Sequence, residues 1–321
     1  MKIKEMKKIV IIVVNYNGCD VTKNCFDSIQ KNSVGVCHEF IVIDNFSSSD
    51  EQVRIGKLFE GTNATVIFLE KNYGYFRAIN IGLIYAREKI GDIGLFIVGN
   101  NDLEFNKNLA SSLTEIDRLE SNVVVVAPNI TNINGKAQNP HSIFGINRFR
   151  EIIYNFYYCN YTMARLILII SRLLGSFARR DDRQTSNKSG FIKLGFGACY
   201  IIKPTFFDYF KALWAPMFLM GEELMFSRQL ETRGIRVFYD SSINVRHLDS
   251  ATISKIPSKI IWESARDSHK LYRTFINPCH VEMNAAVSTH WIEKCSGQLD
   301  YEKSIARLSN SKVLINGKFI Q

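Results

Sequence analysis

Apolar runs alternate with helical patterns along the first 130 residues, and this alternation restricts the fold more than any other feature of the chain. Strands are predicted at residues 9–14, 40–43, 66–69, 95–98 and 123–127. Helices are predicted between them, over about 21–31, 48–59, 75–90 and 109–119. Strands that are regularly separated by helices form parallel sheets with helices on both faces. We therefore expect an α/β fold with a mostly parallel central sheet flanked by helices.

Polar residues follow the first four predicted strands and should meet at one sheet edge, where open α/β sheets bind ligands. They are Asn15, Tyr16, Asn17, Asp44, Asn45, Asn72, Gly74, Asn100, Asn101 and Asp102. Asp102 can hold Mg²⁺ or Mn²⁺ against a diphosphate. Asp44 can accept hydrogen bonds from a base or a ribose, although it is equally well explained as a turn former. Asn72 and Gly74 would let the backbone approach a ligand, and Asn80 can add a side-chain contact.

The second half of the chain is less regular. Residues 141–189 form a basic, amphipathic segment, an apolar strand is predicted within 191–202, and a helix is predicted over 222–233. The tail is predicted to be helical around 260–275. We expect one domain over 1–255 that includes 141–189 as an insertion, followed by a helical C-terminal extension over 256–321.

Cysteine usage and hydropathy favour a cytoplasmic protein. The seven cysteines are scattered and form no C-x-x-C pair, which is typical of reduced thiols. The apolar run at 9–14 is too short for the core of a signal peptide. No run reaches the roughly 18 apolar residues of a spanning helix.

Positive charge is concentrated in the segment 141–193. The chain has a net charge of +9, and this segment contains nine Lys or Arg and three acidic residues. Arg165, Arg172 and Arg179 recur every seven residues beside a wide apolar surface, and Arg180 and Arg183 add charge at its end. The pattern is typical of a helix lying on anionic lipid. A helix packed on the sheet, or in a contact between two copies, is equally compatible. No motif for nucleic-acid binding accompanies the charge.

Two adjacent glutamates, Glu222 and Glu223, open a predicted helix. Neighbouring carboxylates repel, which raises a pKa as a general base requires. Acids in a first helical turn also simply favour the helix dipole. His247 follows a predicted strand, where a solvated imidazole is the simpler interpretation.

An ordered series of motifs resembles the family 2 inverting glycosyltransferases, which have the GT-A fold, and within them the rhamnosyltransferase-like group. The resemblance covers roughly residues 8–250. The matching segments are 13–18, 42–50, 72–74 through 80–82, 99–102, 221–224, Gly234 and His247.

The resemblance implies a role for each motif. Asn15, Asn17 and Asp44 would line the nucleotide site. Asp102 would be the acid of the D-x-D-type metal motif, and His247 would complete the metal or diphosphate site. Glu223 stands at the position of the catalytic base, with Glu222 as the alternative.

The chain departs from the family pattern at the metal motif. Asn100 replaces the first acid of the triplet, so Asp102 can be the sole acidic ligand. Glu104 lies two residues further along an extended strand, on the same side as Asp102, and can share the metal in a shifted register.

The resemblance implies transfer of a sugar from a nucleotide-sugar donor to a hydroxyl of a glycan acceptor, with Mn²⁺ or Mg²⁺ as cofactor. The expected setting is bacterial surface polysaccharide synthesis (O-antigen or capsule), with a lipid-linked acceptor, at the inner face of the cell membrane. A deoxysugar donor is favoured, and a homo-oligomer is compatible. Two alternatives stay open: a sugar-phosphate nucleotidyltransferase, although 15–18 is not a glycine-rich phosphate loop, and a non-catalytic scaffold with a relic nucleotide site.

Overall fold

The computed structural model describes residues 7–107, 109–116, 119–120, 122–141, 148–173, 187–248, 258–275, 293–315 and 318–320. Within them, eleven strands form one sheet. The strands are β1 (Lys8–Asn15), β2 (His38–Asp44), β3 (Ala64–Phe68), β4 (Ile93–Asn100), β5 (Leu103–Phe105), β6 (Val125–Asn132), β7 (Gly190–Ile192), β8 (Cys199–Ile202), β9 (Val237–His247), β10 (Lys312–Ile315) and β11 (Lys318–Ile320). All five strands predicted in the first half are therefore confirmed.

Helices follow most of the strands. They are α1 (Cys19–Asn32), α2 (Ser49–Leu58), α3 (Tyr75–Lys89), α4 (Leu109–Ile116), α5 (Arg148–Tyr157), α6 (Tyr161–Leu173), α7 (Phe206–Tyr209), α8 (Glu222–Glu231), α9 (Ser258–Phe275) and α10 (Gln298–Ser309). Alternate residues of β1 face opposite sides of the sheet, so Ile9 and Ile11 join one hydrophobic core and Val10 and Ile12 join the other. Both faces of the sheet are thus buried under helices, as predicted.

The sheet is mixed, whereas we expected a mostly parallel one. Its order is β11-β10-β3-β2-β1-β4-β8-β6-β9-β5, and β7 pairs with β9. Strands β3, β2, β1 and β4 are parallel because helical crossovers join them. Strand β8 begins at the edge where β4 ends, since Cys199 pairs with Gly99, and it therefore runs antiparallel to β4. The second half of the chain adds strands to the parallel unit rather than continuing it.

The C-terminal extension contains the expected helices and, in addition, two strands. Strand β10 pairs antiparallel with β3, and β11 pairs with β10. Helix α10 packs against α3. The segment after 255 thus extends the main sheet, and a domain boundary at that point stays a prediction.

The basic insertion contains two consecutive helices, α5 and α6. Arg165 is exposed on α6. Arg179, Arg180 and Arg183 lie outside the described residues, as does the side chain of Arg172. Among the described helices, none combines the length and the apolar character needed to cross a bilayer.

Candidate functional site

The ends of the parallel strands converge as predicted. Asn15 at the end of β1 is the register partner of Asp44 at the end of β2. On the other side of β1, Val14 is the partner of Asn100 at the end of β4. The polar residues that follow these strands therefore share one edge of the sheet.

Asp44 is fully buried and lies at the centre of a hydrogen-bond network. Its Oδ1 accepts hydrogen bonds from Asn15 Nδ2 at 2.8 Å and from Ser47 Oγ at 2.5 Å. Its Oδ2 accepts from the Ser47 amide and from Gln52 Nε2, both at 3.1 Å. Thr22 Oγ1 donates to Asn15 Oδ1 at 2.9 Å. These bonds hold both side chains in one orientation, below the loops that face solvent.

Asn101 belongs to the same network. Its Nδ2 donates to Thr22 Oγ1 at 2.8 Å and to Asn15 Oδ1 at 3.3 Å. The side chain is only 7% exposed. Asn101 therefore joins the end of β4 to the end of β1 and sets the direction in which the next residue, Asp102, projects.

Two exposed aromatic residues stand at the rim above this network. Tyr16 and Phe46 are 37% and 50% exposed. Asn17 has a positive φ of 52°, and its Oδ1 accepts a hydrogen bond from the Ser48 amide at 2.8 Å. The turns after β1 and β2 are thus bound to each other and present flat apolar surface to solvent.

A second polar cluster connects β2 to the start of α3. Asn45 Nδ2 donates to Asn72 Oδ1 at 2.9 Å, and Asn45 Oδ1 accepts from the Tyr73 amide at the same distance. Asn72 Oδ1 also accepts from the Gly74 amide at 2.9 Å. The segment 72–74 is therefore held at the same edge as Asp44.

The side chain of Asn80 contacts the protein itself, whereas we expected it to contact a ligand. It is fully buried in α3, where Nδ2 donates to the Leu213 carbonyl at 2.8 Å and Oδ1 accepts from the Leu213 amide at 2.9 Å. Both ends of the amide are thus used by the protein. This arrangement favours a role in fixing the 213–220 loop over direct contact with a nucleotide.

The 213–220 loop leads to the two glutamates and is bound along its length to α3. Arg77 Nε donates to the Ala215 carbonyl at 3.0 Å. The Tyr75 amide donates to the Phe218 carbonyl at 3.2 Å. Gly74 has a φ of +87°, and a Cβ built there would overlap the Phe218 carbonyl. The nucleotide edge and the glutamate loop are therefore in direct backbone contact.

Gly74→Ala should destabilise the protein and disturb the glutamate loop. A positive φ costs an L-residue about 1–2 kcal/mol, and the overlap with Phe218 adds to this. Gly61 is the matched control, because it has a φ of +70° and open space around its Cβ position. Urea unfolding should show a larger loss for Gly74→Ala than for Gly61→Ala. Equal losses would mean that the contact with Phe218 is of no consequence.

Asp102 and His247 form a buried pair beside the strand ends. Asp102 Oδ1 lies 3.2 Å from His247 Nε2, and the two residues are 3% and 7% exposed. Gln138 Oε1 lies 2.9 Å from His247 Nδ1 and can only accept, so Nδ1 carries a proton. Asn100 Nδ2 lies 3.2 Å from Nε2. The contact between Nε2 and Asp102 Oδ1 is a hydrogen bond only when Nε2 also carries a proton; in the neutral ring, Nε2 has a lone pair that can bind a cation held by Asp102.

This arrangement fits a divalent cation. Two ligand atoms at about 2.0–2.2 Å from one cation, at right angles, lie about 3 Å apart, close to the separation of Asp102 Oδ1 and His247 Nε2. Gln138 orients the imidazole as an outer ligand does in metal sites. Within the described residues, no group of three or more His, Cys, Asp or Glu side chains could enclose a metal. The remaining ligands would therefore come from substrate oxygens, as is usual for Mg²⁺ with phosphates.

Glu104 does not face this pair. Its Oε2 lies 3.3 Å from Arg246 Nη1 in a solvent-exposed ion pair between β5 and β9. The shifted metal register considered from the sequence would require Glu104 to leave Arg246. The geometry favours Asp102.

Glu222 and Glu223 begin α8, after a strained turn. Met220 and Gly221 both have positive φ, at 70° and 88°. Ser268 Oγ of α9 donates to the Met220 carbonyl. Glu222 Oε1 accepts from the Met220 amide at 3.1 Å, so this side chain turns back onto its own loop. Glu223 is left to project from the helix end.

Glu223 lies next to the segment that pairs with the end of β4. A Cβ built on Gly197 would be 3.4 Å from Glu223 Oε2. The next residue, Ala198, accepts a hydrogen bond from the Asn100 amide at 2.9 Å. Tyr75 Oη donates to the Gly197 carbonyl at 3.1 Å. The structure therefore places Glu223 beside the edge that carries Asp102.

Burial raises the pKa of both carboxyls. The pKa of Glu222 rises to about 7, first because the group is desolvated and then because Glu223 is negative. Desolvation also raises the pKa of Glu223 above its usual range. A carboxylate with a raised pKa is a stronger proton acceptor, which suits general-base chemistry near neutral pH.

Glu222→Gln should remove a pH dependence of stability. The pKa of the Glu222 carboxyl is near 4.5 in the unfolded chain and about 7 in the folded protein. The free energy of unfolding of the native protein therefore decreases as the pH rises from 4.5 to 7. The loss is on the order of 3 kcal/mol. Urea unfolding from pH 5 to 8 should show a flatter profile for Glu222→Gln, whereas Glu60→Gln, at an exposed residue, should follow the native curve. Parallel profiles for Glu222→Gln and the native protein would contradict the raised pKa.

Several residues of the site were not singled out in the sequence analysis. Gln138 and Tyr75 gain their importance from contacts with residues far along the chain, His247 and Gly197. Ser47 and Thr22 look like ordinary cap residues of the helices that they precede or begin. Their proximity to Asp44 and Asn15 follows only once the strand register is known.

Comparisons with known proteins identify the family and the fold of the chain. The model of the family described as Glycosyl transferase family 2 matches residues 10–178, more than half of the chain. The chain belongs to this family. No curated protein sequence matches it.

Solved structures share the fold at low sequence identity. The crystal structure of GalNAc-T7 with UDP, GalNAc and Mn²⁺ aligns with a TM-score of 0.50 and 15% identity over 76% of this chain. The alignment spans only 44% of the GalNAc-T7 chain. The mannosyltransferase PcManGT from Pyrobaculum calidifontis, in complex with GDP-Man and Mn²⁺, aligns with a TM-score of 0.53 and 11% identity, over 96% of this chain and 75% of that one. These similarities establish the GT-A fold.

Proposed function

We propose that the protein is an inverting glycosyltransferase that moves a sugar from a nucleotide-sugar donor to a hydroxyl of a glycan acceptor. The observation that carries the proposal is the position of Glu223. Its side chain lies beside Gly197, and the next residue, Ala198, pairs with the end of the strand that leads to Asp102. Inverting transfer needs a base on the acceptor side and a diphosphate site on the donor side. Glu223 would supply the base, and the strand edge that carries Asp102 would supply the diphosphate site.

In the proposed reaction, Glu223 accepts the proton of the acceptor hydroxyl. The hydroxyl oxygen attacks the anomeric carbon of the donor, and the bond from that carbon to the diphosphate breaks. The nucleoside diphosphate leaves with the bonding electrons. Burial of Glu223 disfavours its ionised form, which strengthens it as a proton acceptor, while Glu222 is held by the Met220 amide.

Asp102 and His247 would hold the divalent cation, Mn²⁺ or Mg²⁺. A cation bound there stabilises the charge that develops on the leaving diphosphate. Asn100 and Gln138 orient the imidazole through the contacts described above. The Mn²⁺ in the two similar structures supports this assignment.

The donor would bind along the strand edge. Tyr16 and Phe46 offer flat surfaces for the nucleotide base. Asp44, Asn15 and Asn17 would line the bottom of the nucleotide site. The resemblance to the rhamnosyltransferase-like group supports a deoxysugar as the transferred group.

Aromatic side chains near Glu223 support a carbohydrate acceptor. The rings of Tyr158, just after α5, and His269 on α9 are stacked with their centroids 4.6 Å apart. Burial raises the pKa of Tyr158 to about 12, and the neighbouring Tyr157 and Tyr154 and the charge of Glu223 add to this. Sugar rings pack well on aromatic faces. Trp262 lies deeper, since its Nε1 donates to the Tyr157 carbonyl at 3.2 Å.

We infer that the acceptor glycan is carried on a lipid, in the synthesis of a bacterial surface polysaccharide such as O-antigen or capsule. Such an acceptor requires an enzyme that works in the cytoplasm at the inner face of the cell membrane. The basic insertion next to the aromatic cluster supports this location.

A thermal-shift experiment with UDP-, dTDP- and GDP-sugars, each with Mn²⁺, tests the donor class. One nucleotide should raise the Tm, because a ligand that binds only the folded state stabilises it. The preferred donor should then be consumed, with release of its nucleoside diphosphate, when a glycan acceptor is added. Formation of a nucleotide-sugar and pyrophosphate from a nucleoside triphosphate and a sugar phosphate would identify a nucleotidyltransferase instead. Nucleotide binding without turnover of any donor would indicate a scaffold.

A further inference from the structure

Helices α5 and α6 expose an unusual number of large apolar side chains. On α5, Phe149, Ile152 and Phe156 are 71%, 53% and 58% exposed. They are spaced i, i+3, i+7 and therefore share one face of the helix. On α6, the exposed apolar residues are Leu166, Leu168, Ile169 and Ile170, at 45% to 51%. Leu168 lies on the same side of α6 as Tyr161 and Ala164, so we call the other six side chains the α5–α6 apolar face.

The other side of the helix pair is covered by protein. Tyr154 of α5 and Tyr158, just after it, contact the ring of His269 on α9. Tyr161 of α6 contacts Trp262 with ring centroids 5.6 Å apart. Ala164 is buried. The hairpin is thus fixed to the molecule through one side while its apolar face is open to solvent. Exposed apolar residues that occur singly need no explanation, but a concentration of this kind marks an interaction surface.

The charge of the segment indicates what the face contacts. Residues 141–193 contain nine Lys or Arg and three acidic residues, which is two thirds of the net charge of +9 in a sixth of the chain. Arg165 is exposed on α6, one residue before Leu166. Apolar side chains bordered by positive charge are suited to the boundary between acyl chains and anionic headgroups. A contact between two copies would bring like charges together.

We propose that the α5–α6 apolar face docks the protein on an anionic lipid surface, with the two helices lying in the plane of the interface. Helix α6 has 13 residues, which is shorter than the roughly 20 needed to span a bilayer. The apolar residues enter the headgroup boundary and Arg165 meets the anionic headgroups. Tyr158, just after α5, packs on His269 of α9 on the covered side of the helix pair, so docking leaves the aromatic cluster beside Glu223 uncovered. This assignment does not depend on catalysis.

Flotation with vesicles tests the proposal. The full chain should float with vesicles of phosphatidylcholine and phosphatidylglycerol in a 3:1 ratio (about 25% anionic lipid, enough to give a negative surface potential). The triple variant Ile152→Ser, Phe156→Ser, Ile169→Ser should lose about tenfold or more of this binding. The matched control is Val34→Ser, Val53→Ser, Ile133→Ser, three exposed apolar residues outside the face, which should float like the native protein. Equal flotation of both triple variants overturns the proposal.

A charge exchange separates the electrostatic contribution. Arg165→Glu should weaken binding to the anionic vesicles more than binding to pure phosphatidylcholine, and about 0.5 M salt should reduce the difference, because salt screens exposed charges. Arg233→Glu, at an exposed arginine on the turn after α8, is the control with the same charge change. An equal effect of both exchanges would assign binding to net charge rather than to this face.

The oligomeric state gives the competing outcome. If the native protein is a dimer in analytical ultracentrifugation, the triple variant is a monomer, and neither binds vesicles, the face is a contact between copies and the proposal is wrong. Glu223→Gln should bind vesicles like the native protein. Flotation reports on the docking proposal and sugar transfer reports on the proposed function. Because both are measured on the same variant, a failure of one proposal can be distinguished from a failure of the other.

Discussion

A Glu223→Gln enzyme should bind its nucleotide with nearly native affinity and transfer sugar about 10²–10⁴-fold more slowly. Glutamine keeps the shape of the side chain next to Gly197 but cannot accept the proton of the acceptor hydroxyl. Because the loss concerns the transition state and not the donor site, kcat should fall while the donor concentration at half-saturation changes little. Steady-state kinetics with the donor identified by thermal shift measures both quantities.

Glu222→Gln is the natural control for this experiment. Its side chain turns back to the Met220 amide, so its replacement should reduce kcat far less than that of Glu223. If Glu222→Gln gives the large loss and Glu223→Gln the small one, the base is Glu222 and the assignment is off by one residue. In the native enzyme, kcat should fall as the pH drops through the pKa of the base, which burial raises above the usual range of glutamate.

Asp102→Ala should abolish stabilisation by Mn²⁺ in the presence of nucleotide and reduce transfer by about 10²–10³-fold or more. Asp102 is the carboxylate that faces His247 Nε2, and alanine would leave only one of the two proposed protein ligands of the cation. Thermal shifts with and without Mn²⁺, at a fixed nucleotide concentration, give a readout that does not depend on turnover. Full activity of the native enzyme in EDTA would contradict the metal role.

Glu104→Gln is the matched control for Asp102→Ala. Its carboxylate is two residues away and paired with Arg246 at the surface, so its loss should leave the Mn²⁺ response intact. If Glu104→Gln abolishes the response and Asp102→Ala does not, the metal binds in the shifted register.

The parallel half of the fold could be predicted because its signals are local. Each strand from β1 to β4 is a continuous apolar run, and each following helix has its own periodicity and end signals. Strand β8 has four residues, Cys199–Ile202, and nothing local shows that it runs against β4. Strands β10 and β11 are equally short, and their place in the sheet depends on pairing with β3. Short strands are defined by their partners, and those partners lie far away in the chain.

The candidate site was predictable to the same extent. Asn15 and Asp44 follow directly from the strand ends, and their convergence requires only that the sheet be parallel. The pairing of His247 with Asp102 was implied by the family resemblance, since the two residues are far apart in sequence. Gln138 was not found, because it lies in a loop whose position depends on the mixed half of the sheet. Asn80 stays a predicted ligand contact, and its bonds to Leu213 could not be foreseen because the sequence does not show which loop packs on a buried helix.

The pairing of β10 with β3 has a consequence for the synthesis of the protein. On the ribosome, residues 64–68 are made long before residues 312–315, which cover their outer edge in the finished sheet. Until then, the nascent chain displays the unpaired amide and carbonyl groups of an apolar strand, and such edges attract strands from other molecules. Aggregation during expression is therefore most expected while this edge awaits its partner, and co-production of a chaperone that shields nascent chains should raise the soluble yield.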